Sequence, residues 1–513
     1  MSKRQTTDLA NLVGISKKES NTQRVETILL EPRSFSQSQI VFDLPQQGIL
    51  SDDIALQIQL TTAANMDIPL VAGIGGLFNR CELFFGTTLI NSVTEVGHLL
   101  QVQSLFKDQD VRDYSEQTYT GGFSGLKAEA GIRGRLQLNA FNTTLLGTTA
   151  STGITGLLQT TAGEVNKLSA FRTTGAAGTT PEYCLKLKTL FPILSQIPLP
   201  LFALKERLRF VFHLNPDIAG TRVVGVNTAG ITAGNIAFVA GNDVVETSCK
   251  LSVDLIYYED MPGTPNPMMR IQDELDKGVS LVYSDYITVL GQIPNFGVGQ
   301  APPITQERTM LLGLDHQVVR NLILAFPTQP TSATDYGNPI LGNFESCSTP
   351  IGTQLQVSIN NENIFPSPLN SDAKFYNELS QIYDTPLKIN RGLYSAVGQV
   401  TTAPGVTQGT ITAPGRAFSD TTAIRGKPNE SLQYNLQYLG VNLSKNSNAN
   451  YAGNGIQIGR QPVQIQVTKE RGGTNDVSGG VGAYIWKSYR MICFAECERL
   501  MTIRAGNIFI SGS

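Results

Sequence analysis

The chain has 513 residues, of which 41% are hydrophobic and 16% charged, and a formal net charge of −3. A disordered chain would carry fewer apolar and more charged residues, so this one buries a core, and its length predicts two domains of roughly 200–250 residues each. No basic excess marks the whole chain for electrostatic binding of nucleic acid. The 49 glycines and recurrent Thr, Asn, Gln and Ser give a polar, weakly charged surface suited to packing against copies of itself.

Residues 1–24 set Lys3, Arg4, Lys17, Lys18 and Arg24 against Asp8 and Glu19, a balance of +3. This predicts a flexible basic arm, either solvated or docked on another surface. The arm has no apolar signal core, and no run of ~18 apolar residues occurs in the chain, so neither a secretory leader nor a membrane-crossing helix is expected. Period-two alternation then dominates. Ile54, Leu56, Ile58 and Leu60 alternate with Ala55, Gln57, Gln59 and Thr61, and Cys81, Leu83 and Phe85 alternate with Glu82 and Phe84. A helix is predicted over 93–106 from the spacing of Val96, Leu99, Leu100, Gln103 and Phe106, with Ser92 and Glu95 as a capping box at its start. Strands resume with Leu208, Phe210, Phe212 and Leu214, then Leu251, Val253, Leu255 and Tyr257. Pro262, Pro265 and Pro267 end the first half, and a short helix is predicted up to Lys277.

The second half offers Leu355, Val357 and Ile359, then a helix over 372–383 with Phe375, Leu379 and Ile382 on one face and Asn370 or Ser371 as its cap. Leu432, Tyr434, Leu436 and Tyr438 predict a further strand, and Val463, Ile465 and Val467 another. Each alternation means one buried and one polar face. Long Gly-, Thr- and Ala-rich connections at 107–182, 215–247 and 387–428 separate the strands, as in β-sandwiches.

The halves repeat one another in the order of their elements. GILSDDIALQIQLT (48–61), LFNRCELFFGTTLINS (77–92) and a helix are matched by GLDHQVVRNLILAF (313–326), GTQLQVSINNENIFPS (352–367) and a helix, at an offset that grows from about 265 to about 278 residues. Two copies of one β-sandwich account for this. The expected division is a basic arm over 1–24, a first sandwich over 25–262, a linker over 263–277 and a second sandwich over 278–513.

No catalytic signature is present. Gly426-Lys427 runs into Pro428 rather than completing a phosphate loop, Ser124 lies between glycines in a loop, and Asp108-Gln109-Asp110 and Glu259-Asp260 read as solvated turn charges. His98, His213 and His316 stand far apart and no CxxC occurs, so no metal, cofactor or enzyme activity is expected. Cys493 and Cys497 would lie about 13 Å apart on one strand, too far to bridge, so the cysteines read as small core residues. Trp486, the single tryptophan, is a candidate interface anchor or core residue.

The duplicated sandwich, the segment LPLFALKERLRFVFHL (199–214) and the unit LFNRCELFFGTTLINSVTEVGHLLQVQSLF (77–106) resemble the double jelly-roll major capsid proteins of double-stranded DNA viruses, in size and style those of virophages and polinton-like viruses. The resemblance covers residues 25–512 and is architectural. It implies an all-β fold of two tandem eight-stranded jelly-roll β-sandwiches with a few short helices and long loops. It implies a homotrimer whose six sandwiches form a pseudo-hexagonal capsomer of an icosahedral shell, with strands upright and the loops at 107–182 and 387–428 facing outward or gripping neighbours. Partners would be neighbouring capsomers, penton and minor capsid proteins. The arm with Lys3, Arg4, Lys17, Lys18 and Arg24 would lie on the inner side, in weak contact with the genome or an inner membrane. The location would be the virion, assembled in the host cytoplasm or a virus factory. Another virion component, such as a spike or minor capsid protein, and a jelly-roll carbohydrate-binding or hydrolytic protein are the alternatives.

Overall fold

Half-polar strands are stable only when they pair edge to edge and bury their apolar faces against a second sheet. The computed structural model describes residues 23–59 (except 37), 73–107, 119–120, 182–214 (except 197), 244–258 (except 245), 267–293, 305–325 (except 315 and 316), 346–347, 354–382 (except 360 and 371), 399–401, 410–418 (except 414 and 415), 435–444 (except 437), 455–458, 463–470 and 489–511.

The first half supplies β1 (Gln23–Leu30), β2 (Ser34–Phe35), β3 (Gln39–Asp43), β4 (Ile49–Gln59), β5 (Phe78–Phe85), β6 (Thr88–Thr94), helix α1 (Val96–Leu105), β7 (Glu182–Lys186), β8 (Leu208–Leu214) and β9 (Lys250–Tyr258). Helix α2 (Pro267–Lys277) leads into the second half, which supplies β10 (Val279–Ile293), β11 (Thr305–Leu312), β12 (Val318–Ala325), β13 (Ser346–Cys347), β14 (Gln354–Ile359), β15 (Glu362–Asn363) and helix α3 (Asp372–Ile382). A small ribbon follows, β16 (Gln399–Thr401), β17 (Thr410–Ala413) and β18 (Arg416–Phe418). The chain closes with β19 (Asn435–Leu436), β20 (Tyr438–Asn442), β21 (Ile456–Gln457), β22 (Val463–Glu470), β23 (Tyr489–Arg504) and β24 (Asn507–Ser511).

The sheet orders carry the main finding. In the first half they are β1-β9-β4-β7 and β3-β8-β5-β6, with β2 added outside β3; in the second they are β10-β23-β12-β20 and β11-β22-β14-β15. Replacing β1, β3, β4, β5, β6, β7, β8 and β9 by β10, β11, β12, β14, β15, β20, β22 and β23 converts one pair of sheets into the other. The corresponding hairpins also agree. Phe85 pairs with Thr88 and Ile359 with Glu362, each across a two-residue turn in which Gly86 at 55° and Asn361 at 65° have positive φ. Glycine and asparagine are the residues that tolerate that backbone.

The sandwich interiors are the predicted alternating faces. Phe210 and Phe212 of β8 join Phe42, Phe78 and Phe191 in an aromatic cluster, with Phe42 edge-on to Phe212 at 6.1 Å and Phe191 5.6 Å from Phe210. In the second sandwich Leu355, Val357 and Ile359 lie beside Val467, Ile465 and Val463 on the inner face of one sheet. The cysteines behave as core residues. Cys493 and Cys497 sit unbridged on β23, where burial raises both thiols, that of Cys497 to about 12, and burial pushes Cys249 to about 12. Native protein treated with a thiol-disulfide reagent should therefore react at half-buried Cys184 well before Cys81, Cys249, Cys493 or Cys497. Peptide mapping of the modified thiols checks this.

Three expectations need correction. The Ser92–Glu95 capping box does not form: Ser92 is still in β6, paired with Glu82, and Glu95 sits in the left-handed region at φ 55° with no side-chain cap on α1. Strand pairing to β5 claims the residues that the helical spacing had assigned to the helix start. Second, the strand predicted over Leu432 to Tyr438 is described at Asn435–Leu436 and runs on beyond Tyr438 as β20; Tyr438, Leu439 and Val441 are all buried, because α3 and the first sandwich cover the face that would otherwise be polar. Third, Arg24 does not belong to an arm. It lies in β1 opposite Tyr257, with its guanidinium 5.5 Å from that ring, so the sheet begins at Gln23.

Candidate functional site

With no catalytic cluster in the sequence, the surfaces through which sandwiches meet are the functional candidates. One such contact lies inside the chain. On β23, Cys493 and Ala495 point into the second sandwich, while Ile492 and Phe494 on the opposite face join the core of the first. Ile323 and Ala325 of β12 and Tyr438 of β20 extend this outward apolar face, with Leu379 of α3 beside them. The first sandwich meets it with β6, α1 and the helical turn Ile193–Gln196. Polar groups fix the register of this seam. The Tyr438 hydroxyl donates to Gln101 Oε1 at 2.9 Å and the Ser284 amide donates to Gln196 Oε1 at 2.9 Å.

At one end of the seam two charged residues are held inside. Asp285 of β10 is 1% exposed, and its Oδ2 lies 3.2 Å from Nη1 of Arg499 on β23. That same Nη1 points at the Ile90 carbonyl of the first sandwich at 3.4 Å. Desolvation raises the Asp285 carboxyl from 3.8 to about 7, although Arg499, the Tyr286 amide and Asn91 pull it the other way. On the opposite face of β23, Arg320 bridges Glu496 at 3.7 Å and Glu498 at 3.5 Å and donates to the Ser284 hydroxyl at 3.1 Å. These residues went unremarked in the sequence. Their signal was a charge at an inward-facing position: Asp285 shares its face of β10 with Tyr283 and Ile287, and Arg499 its face of β23 with Cys497 and Met501.

The duplicated topology identifies the matching face on the first sandwich, the outer side of β1-β9-β4-β7. There Val25 and Leu29 are 53% and 54% exposed, with Thr27 hydrogen-bonded to Asp254 between them. Ser252, Ala55, Gln57 and Lys186 continue the surface by strand register. Where the second sandwich shows Ile492, Phe494 and Ile323, the first shows a mixed surface of polar side chains with Val25 beside half-buried Ile256 and Leu29 beside Ser252. The first kind of face suits permanent burial, and the second suits a surface that is wet before it docks.

The outer side of the other sheet of the first sandwich is polar. His213 contacts Glu82 at 2.8 Å and Arg80 contacts Glu82 at 3.2 Å. Where β3 ends and β8 begins, a cleft of about 670 Å³ exposes Lys205 and Arg207 beside Asp43. Burial alone would raise the Asp43 carboxyl, but hydrogen bonds from Arg209 at 2.9 Å and Arg33 at 2.6 Å outweigh it and hold the carboxyl below its ordinary value. Asp43→Asn should therefore cost about 1 kcal/mol near neutral pH. The deficit should shrink as pH falls through the carboxyl's lowered value, where the native pair also loses its charge. Urea titrations at several pH values measure it.

Of the residues singled out in the sequence, Lys3, Arg4, Lys17, Lys18 and Trp486 lie outside the described residues, as do Ser124, Asp108-Gln109-Asp110 and Glu259-Asp260. Arg24 is in β1, ion-paired with Glu26 at 2.9 Å. Among the described residues no group of three metal-ligating side chains gathers, and no helix is long and apolar enough to cross a membrane.

Neither a family model nor a curated protein matches the sequence. Solved structures do. A crystal structure of PBCV-1 VP54 fitted into a cryo-EM reconstruction of the virophage Sputnik superposes with TM-score 0.56 at 11% identity, covering 96% of this chain and 97% of that one. The quasi-atomic model of the PBCV-1 virus capsid gives 0.53 at 12%, covering 96% and 97%. The 3.5 Å cryo-EM structure of the Sputnik virophage gives 0.52 at 13%, covering 95% and 88%. The chain has the double jelly-roll fold. Among the described residues each jelly roll has eight strands in two four-stranded sheets, with β2 added outside β3, β21 paired with β12 and β24 paired with β23. At these identities the shared property is the fold, because side chains at the surface are free to differ while alternation and strand order persist.

Proposed function

We propose that this protein is a major capsid protein that self-assembles as a trimer, six jelly rolls forming a pseudo-hexagonal capsomer of an icosahedral virion shell. The observation that carries this reading is the unequal treatment of two corresponding faces. The outer face of β10-β23-β12-β20 is covered by the first jelly roll of the same chain around Ile492, Phe494, Ile323 and Tyr438, with Val282 and Leu290 left exposed at its β10 margin, and its counterpart on β1-β9-β4-β7 keeps Val25 and Leu29 exposed. A contact that repeats head to tail leaves one such face open at the end of every chain, and it is satisfied only when another copy's second jelly roll takes the place of the missing neighbour. Three chains bring six jelly rolls, which close the ring.

In this reading the protein has no turnover and acts by burying surface. It belongs in the virion, after assembly in the host cytoplasm or a virus factory. Its further partners are neighbouring capsomers, penton and minor capsid proteins. Residues 1–22, with Lys3, Arg4, Lys17 and Lys18, reach the inner side of the shell and contact the genome or an inner membrane weakly, and Trp486 anchors a contact between subunits. Size-exclusion chromatography with light scattering, followed by negative-stain imaging, tests the reading. The expected result is a particle of three chains with a hexagonal outline; a stable monomer that binds a glycan would overturn it.

A further inference from the structure

The β23-β24 hairpin is apolar on both faces, and the first jelly roll covers one of them. Met501 and Ile503 of β23, Ile508 of β24 and Leu281 of β10 point one way and join the core of the first jelly roll, beside Ile271 and Leu275 of α2. Backbone contacts fix the hairpin there. The Lys205 amide donates to the Gly506 carbonyl at 2.9 Å, and the Ala505 amide donates to the Leu275 carbonyl at 3.3 Å. The alternate residues point the other way. Register sets Val282 beside Leu500 and Thr502 beside Phe509 on this second face, where Val282, Leu500 and Phe509 are 55%, 38% and 57% exposed. Among the described residues no strand pairs with the outer edge of β24. Strands that are apolar on both parities call for a layer on each side, and an exposed apolar patch with a polar rim marks a contact.

Place, reach and chemistry point to one occupant, the N-terminal segment. Gln23 pairs with Tyr258 at the start of β1. Tyr257 lies against Gly48, the Gly48 carbonyl accepts from the Phe202 amide, and the turn that follows Phe202 holds Gly506. The chain therefore enters β1 at the end of the molecule where the hairpin sits. Extended chain spans ~3.3 Å per residue, so the stretch from Leu9 to Gln23 reaches up to about 46 Å, ample for a strand as short as β24. In sequence, Leu9, Leu12, Val13 and Ile15 precede Lys17 and Lys18. On the open face, next along β23 from Leu500, Glu498 and Glu496 share the guanidinium of Arg320, which leaves one negative charge in excess.

We propose that residues 9–18 dock on the open face of β10-β23-β24 in the same chain: Leu9, Leu12, Val13 and Ile15 cover Val282, Leu500 and Phe509, and Lys17 and Lys18 meet the surplus charge of Glu496 and Glu498. The contact lies within one chain and holds whether or not the chain forms shells. Lys3 and Arg4 lie beyond the docked stretch.

Brief trypsin digestion of the full chain, with the N-terminal fragments followed by mass spectrometry, tests it. Cleavage after Lys17 and Lys18 should be at least about tenfold slower than after Lys3 and Arg4, because a docked bond is cut only when it opens. Val282→Asp combined with Phe509→Asp should abolish that difference, and Leu311→Asp, on another sheet, should leave it intact. Equal cutting at the two basic pairs in the wild-type chain, or protection that survives the double substitution, overturns the proposal. Should the double variant fail to fold, photoreactive benzoylphenylalanine in place of Phe509 decides. Adducts with residues 9–18 of the same chain are expected; adducts only with a second copy, or none within residues 1–22, overturn it.

Discussion

Gly440→Val will push α3 away from the second jelly roll and destabilise the chain by about 1–3 kcal/mol. Gly440 stands in β20 opposite Ile323, on the outward face that α3 covers. A Cβ there would lie 2.7 Å from the Leu379 Cα and 2.6 Å from the Ile382 Cδ1. The end of Ile382 can swing aside, but the Leu379 backbone moves only with its helix. That helix is held at both ends of its apolar face, by Phe375 in the core of the second jelly roll and by Leu379 in the shared core of the seam. Intrinsic strand preference favours valine over glycine by up to about 1 kcal/mol, so a loss of stability isolates the packing clash. Gly313→Val is the control, because its Cβ meets nothing within 4 Å. Urea unfolding of both variants measures the difference; equal midpoints would mean that α3 does not press on β20.

The contrast between these glycines bears on what the sequence could reveal. Alternation exposed β4, β5, β8, β9, β14 and β22 because each has one apolar and one polar face, and the order of elements exposed the duplication. The same rule failed where a second neighbour covers the polar side. Met491 through Ala495 are apolar on both parities, and only one face, that of Met491, Cys493 and Ala495, was legible as core. Ile492 and Phe494 were the trace of the seam, since a run buried on both faces announces a second layer. The capping box misled because its spacing is local, whereas the pairing of Ser92 with Glu82 depends on a partner strand. Asp285 and Arg499 were visible as letters, but their meeting depends on the register of β10 against β23.

The second large effect concerns assembly. Val25→Asp combined with Leu29→Asp should abolish the proposed trimer and leave a folded monomer. Both side chains are more than half exposed on β1, the margin strand of its sheet, so charging them removes little buried area and costs about 1 kcal/mol or less in the isolated chain. In the proposed ring they would occupy the face that corresponds to the seam, where the neighbouring copy would present β15 and α3 in place of β6 and α1. A carboxylate carried into such a contact meets no planned partner and loses its water, a penalty of several kcal/mol for each buried charge. Paid at every one of the repeated contacts, that cost exceeds what a wet, moderately apolar interface can return. Leu311→Asp is the matched control: Leu311 is 61% exposed but lies on β11, at the opposite margin of its sheet from β15, so the proposed trimer should persist. Light scattering reads the outcome directly. A doubly substituted chain that still elutes as three copies would show that the ring closes through some other surface, and a monomer that has also lost its cooperative melt would show that β1 is needed for the first jelly roll itself.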